Sequence, residues 1–434
     1  MDGPAGDLDR ISALPDDLLH VILSFLGDAR DVTRMAVLSR RWRHVWVHAK
    51  NLTFGDGDLA NSTVPCHFAG FVDWALAKRG DVDMESLKIH FSGEGYASPE
   101  QVNEWLRYAA RCVVRSVDFY LDVPTDKQQA VELPSHGRAT SILLSLSRHS
   151  RVQLPAAAAA SYQALTELRL VAPLLSEEVA GGTLGDFVTS CCPCLRRLSL
   201  MRPKGLPQLV LRSEVLEDLD ITWANDLRML DVAAPNLRIV SLKYCFHNIT
   251  SSEEDDASKV ARIVAPRIQE FCFQHYTQIP QLELDIHDLT SVRRLNNLVL
   301  DMHGRYCRET QVGLSFLAKC PGVQDVHVSL DHQESDIADE GDLVDLSTEG
   351  AEEEMQLLSL LFEGSNSIKC MAISETPRKI DIADLTQKIG KEVDSNNTIL
   401  QKLMKVPCAD GGQWHFVEQV FVWTCYATES RQMY

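Results

Sequence analysis

The sequence predicts an α/β protein in which a small three-helix N-terminal module precedes a solenoid of stacked repeats with a parallel sheet. Three observations lead to this prediction. An apolar hexad returns along most of the chain, two further hexads lie between neighbouring copies, and the first fifty residues carry helix signals instead. A chain of 434 residues also exceeds what one compact core usually holds, so several domains or a repeat architecture is expected.

The first helix is predicted within the segment ISALPDDLLHVILSFLGDA. Pro15 suits a first helical turn, Asp16 and Asp17 place negative charge at the positive end of the helix dipole, and Gly27 is a stop signal. The residues between these signals are apolar on nearly every side of the helix. A short helix of this kind is either enclosed by its own domain or shared with a partner.

A second helix is predicted from about Asp31 to Val37, and Ser39 is a candidate cap for a third. On a helical wheel the third helix places its apolar residues within one arc of about 100° and its basic residues outside that arc. The apolar arc consists of Leu38, Trp42, Val45, Trp46 and Ala49. The tryptophans and arginines therefore face different directions, whereas a stacking platform for single-stranded nucleic acid needs both on one exposed surface.

These residues resemble the F-box in its plant form, where a Leu-Pro pair opens the module and a segment like LSRRWRHVW ends it. The resemblance covers residues 10–54 and implies docking on the Skp-type adaptor of an SCF ubiquitin ligase, and through the adaptor on a cullin. The connection from Leu26 to Leu38 is one residue longer than the commonest plant pattern, so contacts around residues 27–31 transfer less securely. The implied adaptor-binding residues are Leu14, Pro15, Leu18, Ile22, Leu23, Leu26, Leu38 and Trp42.

Two alternatives stay open for this module. Trp42 can serve the core of the module instead of the adaptor interface. The module as a whole can also be a small helical domain that packs only against its own chain, although this leaves an all-round apolar first helix unexplained.

The repeats follow the pattern apolar-x-x-apolar-x-apolar. Clear copies begin at Leu165, Leu195, Leu216, Leu237, Ile268, Leu295 and Val323, and weaker ones at Met84, Val114, Ala139, Ile368 and Val417. The spacings between the clear copies straddle the period of leucine-rich repeats. The last two apolar positions of a hexad lie on one face of a strand, and no single repeat can bury that face alone, so neighbours must stack. Hexads at Leu206 and Leu227 predict short second strands on the opposite side.

The repeat segment 215–245 resembles the leucine-rich repeats of plant F-box proteins, and residues 68–80 and 102–119 resemble the helix and first helix-strand repeat of that group. Polar positions between the leucines should face outward and form a mixed-charge surface that suits a protein partner. The predicted substrate-binding residues are Arg197, Ser199, Asp218, Asp220, Arg238, Ser241 and Asn297. The alternative is that most of them are merely solvated.

Composition and motifs exclude several function classes. The formal net charge of −19 repels polyanions, which argues against nucleic acid as a partner, and no apolar run approaches a membrane span. The cysteines are mostly scattered singly, which favours reduced thiols in an intracellular protein of the cytoplasm or nucleus. Phosphate-binding glycine motifs and nucleophile signatures are absent, and CCPCL at 191–195 has no second ligand pair at zinc spacing. We expect no cofactor, metal or catalytic residue.

The predicted organisation is a flexible N-terminus at 1–9, the F-box at 10–54, a leucine-rich-repeat solenoid at 55–330, a disordered acidic insert at 331–356 and C-terminal repeats or a cap at 357–434. Residues 355–374 are predicted as a helix and a strand, similar in outline to the FBD-type segment of plant F-box proteins. The predicted function is substrate recognition for an SCF-type ubiquitin ligase. The alternative is a protein-binding scaffold without a role in ubiquitination.

Overall fold

The computed structural model describes residues 14–55, 67–91, 97–121, 129–146, 150–156, 160–175, 183–246, 259–274, 282–301, 319–331, 370–374, 413–417 and 420–424. The chain divides into two compact units. Unit 1 comprises residues 1–216 and 223–231, and unit 2 comprises residues 217–222 and 232–434. No helix within the described ranges is long and apolar enough to cross a bilayer.

Unit 1 begins with the predicted three helical segments. They are α1 (Asp16–Ser24), α2 (Ala29–Arg34) with a 3-10 turn at Met35–Val37, and α3 (Trp42–Val45) with a 3-10 turn at Trp46–His48. The Asp28 carboxylate caps α2 by accepting from the Arg30 N–H at 2.6 Å. Strand β1 (Asn51–Gly55) follows, and the Thr53 N–H donates to the Gly27 carbonyl at 3.0 Å. This hydrogen bond connects β1 to the loop between α1 and α2.

The rest of unit 1 alternates helices and strands before it becomes mainly strands. The elements are α4 (His67–Arg79), β2 (Met84–Phe91), α5 (Pro99–Cys112), β3 (Val113–Leu121), β4 (Gln129–Glu132), β5 (Ser141–Leu146), β6 (Ser150–Gln153), β7 (Glu167–Val171), β8 (Leu174–Leu175), α6 (Leu184–Asp186) with a π-helical turn at Phe187–Cys191, β9 (Arg197–Met201) and β10 (Gln208–Arg212). The main sheet of unit 1 is parallel in the order β1-β2-β3-β5-β7-β9, and β4-β6-β8 form a second parallel sheet. The α/β architecture with a parallel sheet is confirmed.

Unit 2 continues the pattern. Its strands are β11 (Asp218–Thr222), β12 (Met229–Ala233, whose first residues belong to unit 1), β13 (Ile239–Lys243), β14 (Lys259–Val264), β15 (Glu270–Gln274), β16 (Leu282–His287), β17 (Arg294–Asp301), β18 (Asp325–Asp331), β19 (Cys370–Ser374), β20 (Gln413–Val417) and β21 (Val420–Thr424). The main sheet of unit 2 runs β11-β13-β15-β17-β18-β19-β21-β20, parallel as far as β19. Strands β14 and β16 pair in parallel apart from it.

The last strands of unit 2, where the sequence predicted C-terminal repeats or a cap, depart from the parallel pattern. Strands β20 and β21 pair antiparallel with each other, and β21 pairs antiparallel with β19. The predicted helix before β19, most of the acidic insert and residues 1–9 lie outside the described residues.

The hexad leucines form the core of both units. In β9 the exposure alternates along Arg197–Met201, with Leu198 and Leu200 buried, as two-residue periodicity requires. The residue that follows each of four successive strands, β7, β9, β11 and β13, has a left-handed backbone. These residues are Ala172, Arg202, Trp223 and Tyr244, with φ between 52° and 60°. A left-handed backbone costs about 1 kcal/mol in a non-glycine residue. The repeats thus share the same strained backbone conformation directly after the strand.

Candidate functional site

The N-terminal helices enclose a small core of their own. Leu19 and Leu23 of α1 are buried, and so are Trp42 and Val45 of α3 and Trp46 just after it. The helical wheel therefore predicted the inward face of the third helix correctly at these positions. Trp42 serves the core, which answers the question that the sequence left open for it.

The same helices leave apolar side chains in solvent. Leu18, Val21 and Phe25 are 48%, 49% and 83% exposed, and their spacing of three and four residues places them on one face of α1. Val37 and Leu38, where the 3-10 turn ends, are 84% and 61% exposed. We call Leu18, Val21 and Phe25 the α1 surface. An apolar helix face that its own domain does not cover is typical of a partner interface.

An ion pair joins α1 to the start of α3. The Arg41 guanidinium donates to Asp16 Oδ1 from Nε at 2.8 Å and from Nη2 at 2.5 Å. Both side chains are substantially exposed, so the pair adds little stability. The pair links the first turn of α1 to the residue before α3, while the buried side chains Leu19 and Leu23 provide the main packing of α1.

The eight predicted adaptor-binding residues fall into two groups. Leu23 and Trp42 are each 1% exposed and offer a partner no surface in the isolated chain. Pro15, Leu18 and Leu38 are exposed, and Leu14, Ile22 and Leu26 are half-buried. Adaptor contact stays a prediction for these six. Val21, Phe25 and Val37 are exposed apolar residues that the prediction omitted. The apolar run of the first helix contained the signal for Val21 and Phe25, whereas Val37 lies in the 3-10 turn after α2.

Leu38 was placed wrongly in one respect. The helical wheel assigned it to the buried arc of the third helix, but α3 begins only at Trp42, where Ser39 Oγ accepts from the backbone N–H at 3.5 Å. Leu38 precedes this start and follows a separate 3-10 turn, so its side chain does not continue the buried face.

The predicted substrate residues of unit 1 lie on the outer face of the main sheet, as expected. Arg197 is exposed and Ser199 is half-buried. Arg197 Nη2 is 3.1 Å from Glu167 Oε2 on the neighbouring strand β7, so its charge is already compensated within the chain. Contact with a substrate stays a prediction for both residues.

In unit 2 the outward positions differ in accessibility. Asp218 and Asp220 are half-buried, and Arg238 is exposed with Nη2 donating to Gln269 Oε1 at 3.1 Å. Ser241 is only 9% exposed, and its Oγ finds no hydrogen-bond partner among the described residues. The expectation that Ser241 faces a substrate freely is therefore wrong. Asn297 lies beside a register shift in β17, and its side chain is not among those that the structure describes.

The cysteines of CCPCL belong to the end of a helical turn. The π-helical turn ends at Cys191, two residues before Pro193. Burial raises the pKa of the Cys191 thiol, and it raises the pKa of Cys192 to about 12, helped by the neighbouring Cys191. Cys194 is exposed. The described residues contain no group of three or more His, Cys, Asp or Glu side chains placed to hold a metal ion.

We expect selective alkylation of these thiols. At pH 8 a pKa of about 12 leaves roughly one Cys192 thiol in ten thousand as the reactive thiolate. Iodoacetamide should therefore label Cys194 in the folded chain well before Cys191 or Cys192, as peptide mapping by mass spectrometry can measure. Labelling in urea is the control, where all three should react. Equal rates for Cys192 and Cys194 in the folded chain would contradict the burial.

Comparison with known proteins gives matches over both parts of the chain. Residues 11–48 match the F-box-like family, and residues 102–328, more than half of the chain, match the family described as FBD-associated F-box protein At5g56370, LRR repeats. Similar proteins of Arabidopsis thaliana include the putative FBD-associated F-box protein At5g50270, 25% identical over 56% of this chain and 64% of its own length. The F-box/FBD/LRR-repeat protein At5g56420 is 24% identical over 66% of this chain and 64% of its own length. The chain thus matches slightly less than two thirds of the length of these relatives.

Proposed function

Because the chain belongs to the family of FBD-associated F-box proteins with leucine-rich repeats, we propose that it is the substrate-recognition subunit of an SCF-type ubiquitin ligase. In this proposal the F-box docks on a Skp-type adaptor, which links it to a cullin, and the repeats bind a protein that is to be ubiquitinated. F-box proteins with leucine-rich repeats are typically adaptors without catalysis. The proposal places the protein in the cytoplasm, the nucleus or both.

The α1 surface is the observation that carries the proposal. Its three residues project from a helix whose other side, Leu19 and Leu23, is fully used by the F-box core. Moving exposed apolar area out of water stabilises a complex by roughly 25 cal/mol per Å² before the costs of association. A helix with one face in its own core and an apolar face in solvent therefore supports docking on another protein.

The mechanism that follows is proximity. A receptor that holds a substrate beside the conjugating enzyme raises the effective concentration of the substrate's lysines around the activated ubiquitin. Bond formation needs no residue of this chain in that scheme. The architecture suits it, because the main sheet of unit 1 connects directly to the F-box through β1, which pairs with β2.

A protein-binding scaffold without a role in ubiquitination is the second candidate. It shares the repeats, so only the F-box separates the two functions. The exposed α1 surface favours the ligase subunit, since a scaffold has no need of an uncovered apolar helix outside its repeats.

Reconstitution tests the proposed function. The full chain, co-expressed with a Skp-type adaptor and a cullin, should elute with both as one complex in size-exclusion chromatography. The matched control is the full chain with two exposed residues of the α1 surface replaced, Leu18→Glu/Phe25→Lys, and it should elute apart from the adaptor. A full chain that stays folded but elutes apart from the adaptor would refute the proposal.

A further inference from the structure

One row of outward-facing residues in unit 1 differs from the others. It lies near the carboxyl ends of five adjacent parallel strands, β2, β3, β5, β7 and β9. The strand register aligns His90 with Tyr120, Tyr120 with Ser145, Ser145 with Val171 and Val171 with Met201. We call these five residues the carboxyl-end row. Neighbouring strands lie about 4.8 Å apart, so the row is about 19 Å long.

Three of the five residues of the carboxyl-end row, Tyr120, Val171 and Met201, are large and apolar or aromatic although the row faces solvent, and Ser145 at its centre is small. Tyr120 and Met201 are each 40% exposed, and Val171 is half-buried. His90 packs edge-on against Tyr120 with ring centroids 4.6 Å apart. Leu143, two residues before Ser145 on the same face of β5, is half-buried and extends the apolar area. Large apolar residues are not needed on a solvated sheet face, so their alignment points to a partner.

The row nearest the strand starts is polar by comparison. Ser86 and Ser116 share a hydrogen bond at 2.8 Å, and Glu167 pairs with Arg197. These side chains bind one another across neighbouring strands, so few of their polar atoms are left to bind a partner. The contrast between the two rows shows that the apolar character is specific to the carboxyl ends.

Charge at the two ends of the carboxyl-end row is unequal. Near His90, the Lys88 ammonium is 3.2 Å from the Asp118 carboxylate, which compensates it. Near Met201, Arg169 lies 3.7 Å from Glu167, a carboxylate that binds Arg197 more closely at 3.1 Å. Arg202 follows Met201 directly and lies over the Trp223 ring at 5.9 Å, with no carboxylate contact among the described residues. Among the residues of unit 1, the Met201 end therefore carries an excess of positive charge, in a chain whose net charge is −19.

We propose that the carboxyl-end row binds an extended segment of a protein substrate, with apolar side chains along the row and an acidic side chain at the Met201 end. This rests on the proposed function, because it names the kind of segment that the receptor selects. An extended chain rises about 3.3 Å per residue, so about six residues cover the row. Strands β3, β5 and β7 are paired on both sides, so the segment crosses them and is bound through side chains.

A displayed library of random decapeptides, selected on the full chain in complex with the adaptor, tests this. Selected sequences should be enriched in large apolar residues next to Asp or Glu.

A synthetic peptide of the most enriched sequence should bind the double variant Tyr120→Ser/Met201→Ser at least about tenfold more weakly than the parent chain. The double variant Arg169→Glu/Arg202→Glu should select Lys or Arg in place of the acids. The matched control is Val210→Ser, an equally exposed valine on β10, which should bind normally.

Three outcomes overturn the inference: selection without apolar and acidic enrichment, a peptide that binds Tyr120→Ser/Met201→Ser as tightly as the parent, or a chain whose dimer is dissociated by that double variant. The last outcome would mean that a second copy covers the row. Adaptor binding and thermal unfolding are measured on the same preparations, with the chain alone where no complex forms. If the chain does not bind the adaptor but still selects apolar and acidic peptides, the proposed function is refuted and the peptide-binding role of the carboxyl-end row stands. If the chain binds the adaptor but selects no such peptides, only the peptide-binding role of the row is refuted.

Discussion

The double variant Leu18→Glu/Phe25→Lys is expected to lose Skp-type adaptor binding by at least about 100-fold while it keeps its fold. Both side chains lie on the exposed α1 surface. Burying a charge without a partner in an apolar interface costs several kcal/mol, and central apolar contacts are each worth about 2 kcal/mol or more. Isothermal titration calorimetry with purified adaptor measures the change.

The two charges are chosen so that the helix itself is not weakened. Glu at position 18 lies near the positive end of the α1 dipole, and Lys at position 25 lies just after its negative end. Substitutions of exposed residues usually change the free energy of unfolding by less than about 0.5 kcal/mol. The melting temperature should therefore stay close to that of the parent chain.

Val264→Lys is the control for an added lysine, because Val264 is an exposed apolar residue, 38% exposed, at the end of β14 and far from α1 in the sequence. It should bind the adaptor normally. If Leu18→Glu/Phe25→Lys also bound at full strength with an intact fold, the α1 surface would not be the docking site. Trp42→Ala cannot make this distinction, since a buried tryptophan holds the F-box core together and its loss costs about 3–5 kcal/mol.

The sequence predicted those features that depend on local periodicity. Trp42, Val45 and Trp46 are buried because a spacing of three or four residues sets one face of a helix. The strands at the hexads are correct for the same reason, since alternation sets the buried face of a strand. Leu38 was wrong because the wheel was continued across a break between two helical segments. Periodicity defines a face only within one uninterrupted element.

Accessibility of an outward residue depends on its neighbours, and these are set by register. Ser241 lies beside Asp220 on β11 and Cys272 on β15, and Cys272 is itself buried. The alternation along β13 predicts which face of the sheet the Ser241 side chain is on. It does not predict how far the neighbouring side chains cover Ser241. The ion pair of Arg197 and Glu167 joins positions 30 residues apart. The repeats vary in length, so the sequence alone does not identify which residues become neighbours.

The second large effect concerns Arg79, a buried cation that the sequence did not single out. It ends α4, is 2% exposed and has no carboxylate partner among the described residues. Its Nη1 donates to the Ala49 carbonyl at 2.7 Å, and Nε donates to the Tyr108 hydroxyl at 3.3 Å. Its Nη2 reaches the carbonyls of Val82 and Asp83 at 3.4 and 3.2 Å. The guanidinium thus joins the end of the F-box, the loop after α4 and helix α5.

Arg79→Met is expected to destabilise this junction by about 3 kcal/mol, because buried carbonyl groups left without a donor cost about 1–3 kcal/mol each. Arg79→Lys should recover little, since one ammonium cannot match the planar fork that reaches four oxygens. Tyr108→Phe removes one acceptor and leaves the other three, so about 0.5–1.5 kcal/mol is expected. Hydrogen exchange of residues 49–55 and 80–90 measures the local opening, and it does not require two-state unfolding of the whole chain.

The comparison of these variants separates two explanations for a buried arginine. If the guanidinium mainly fills space, Met is a good substitute by volume and Lys is no better, so exchange near Ala49 should hardly change in either variant. If its hydrogen bonds hold the junction, both variants open residues 49–55, while α1, which makes no hydrogen bond to Arg79 among the described residues, keeps its adaptor affinity. Faster exchange with unchanged adaptor binding would then show that Arg79 fixes the F-box on the first repeats. Unchanged exchange in Arg79→Met would show that packing alone sets this orientation.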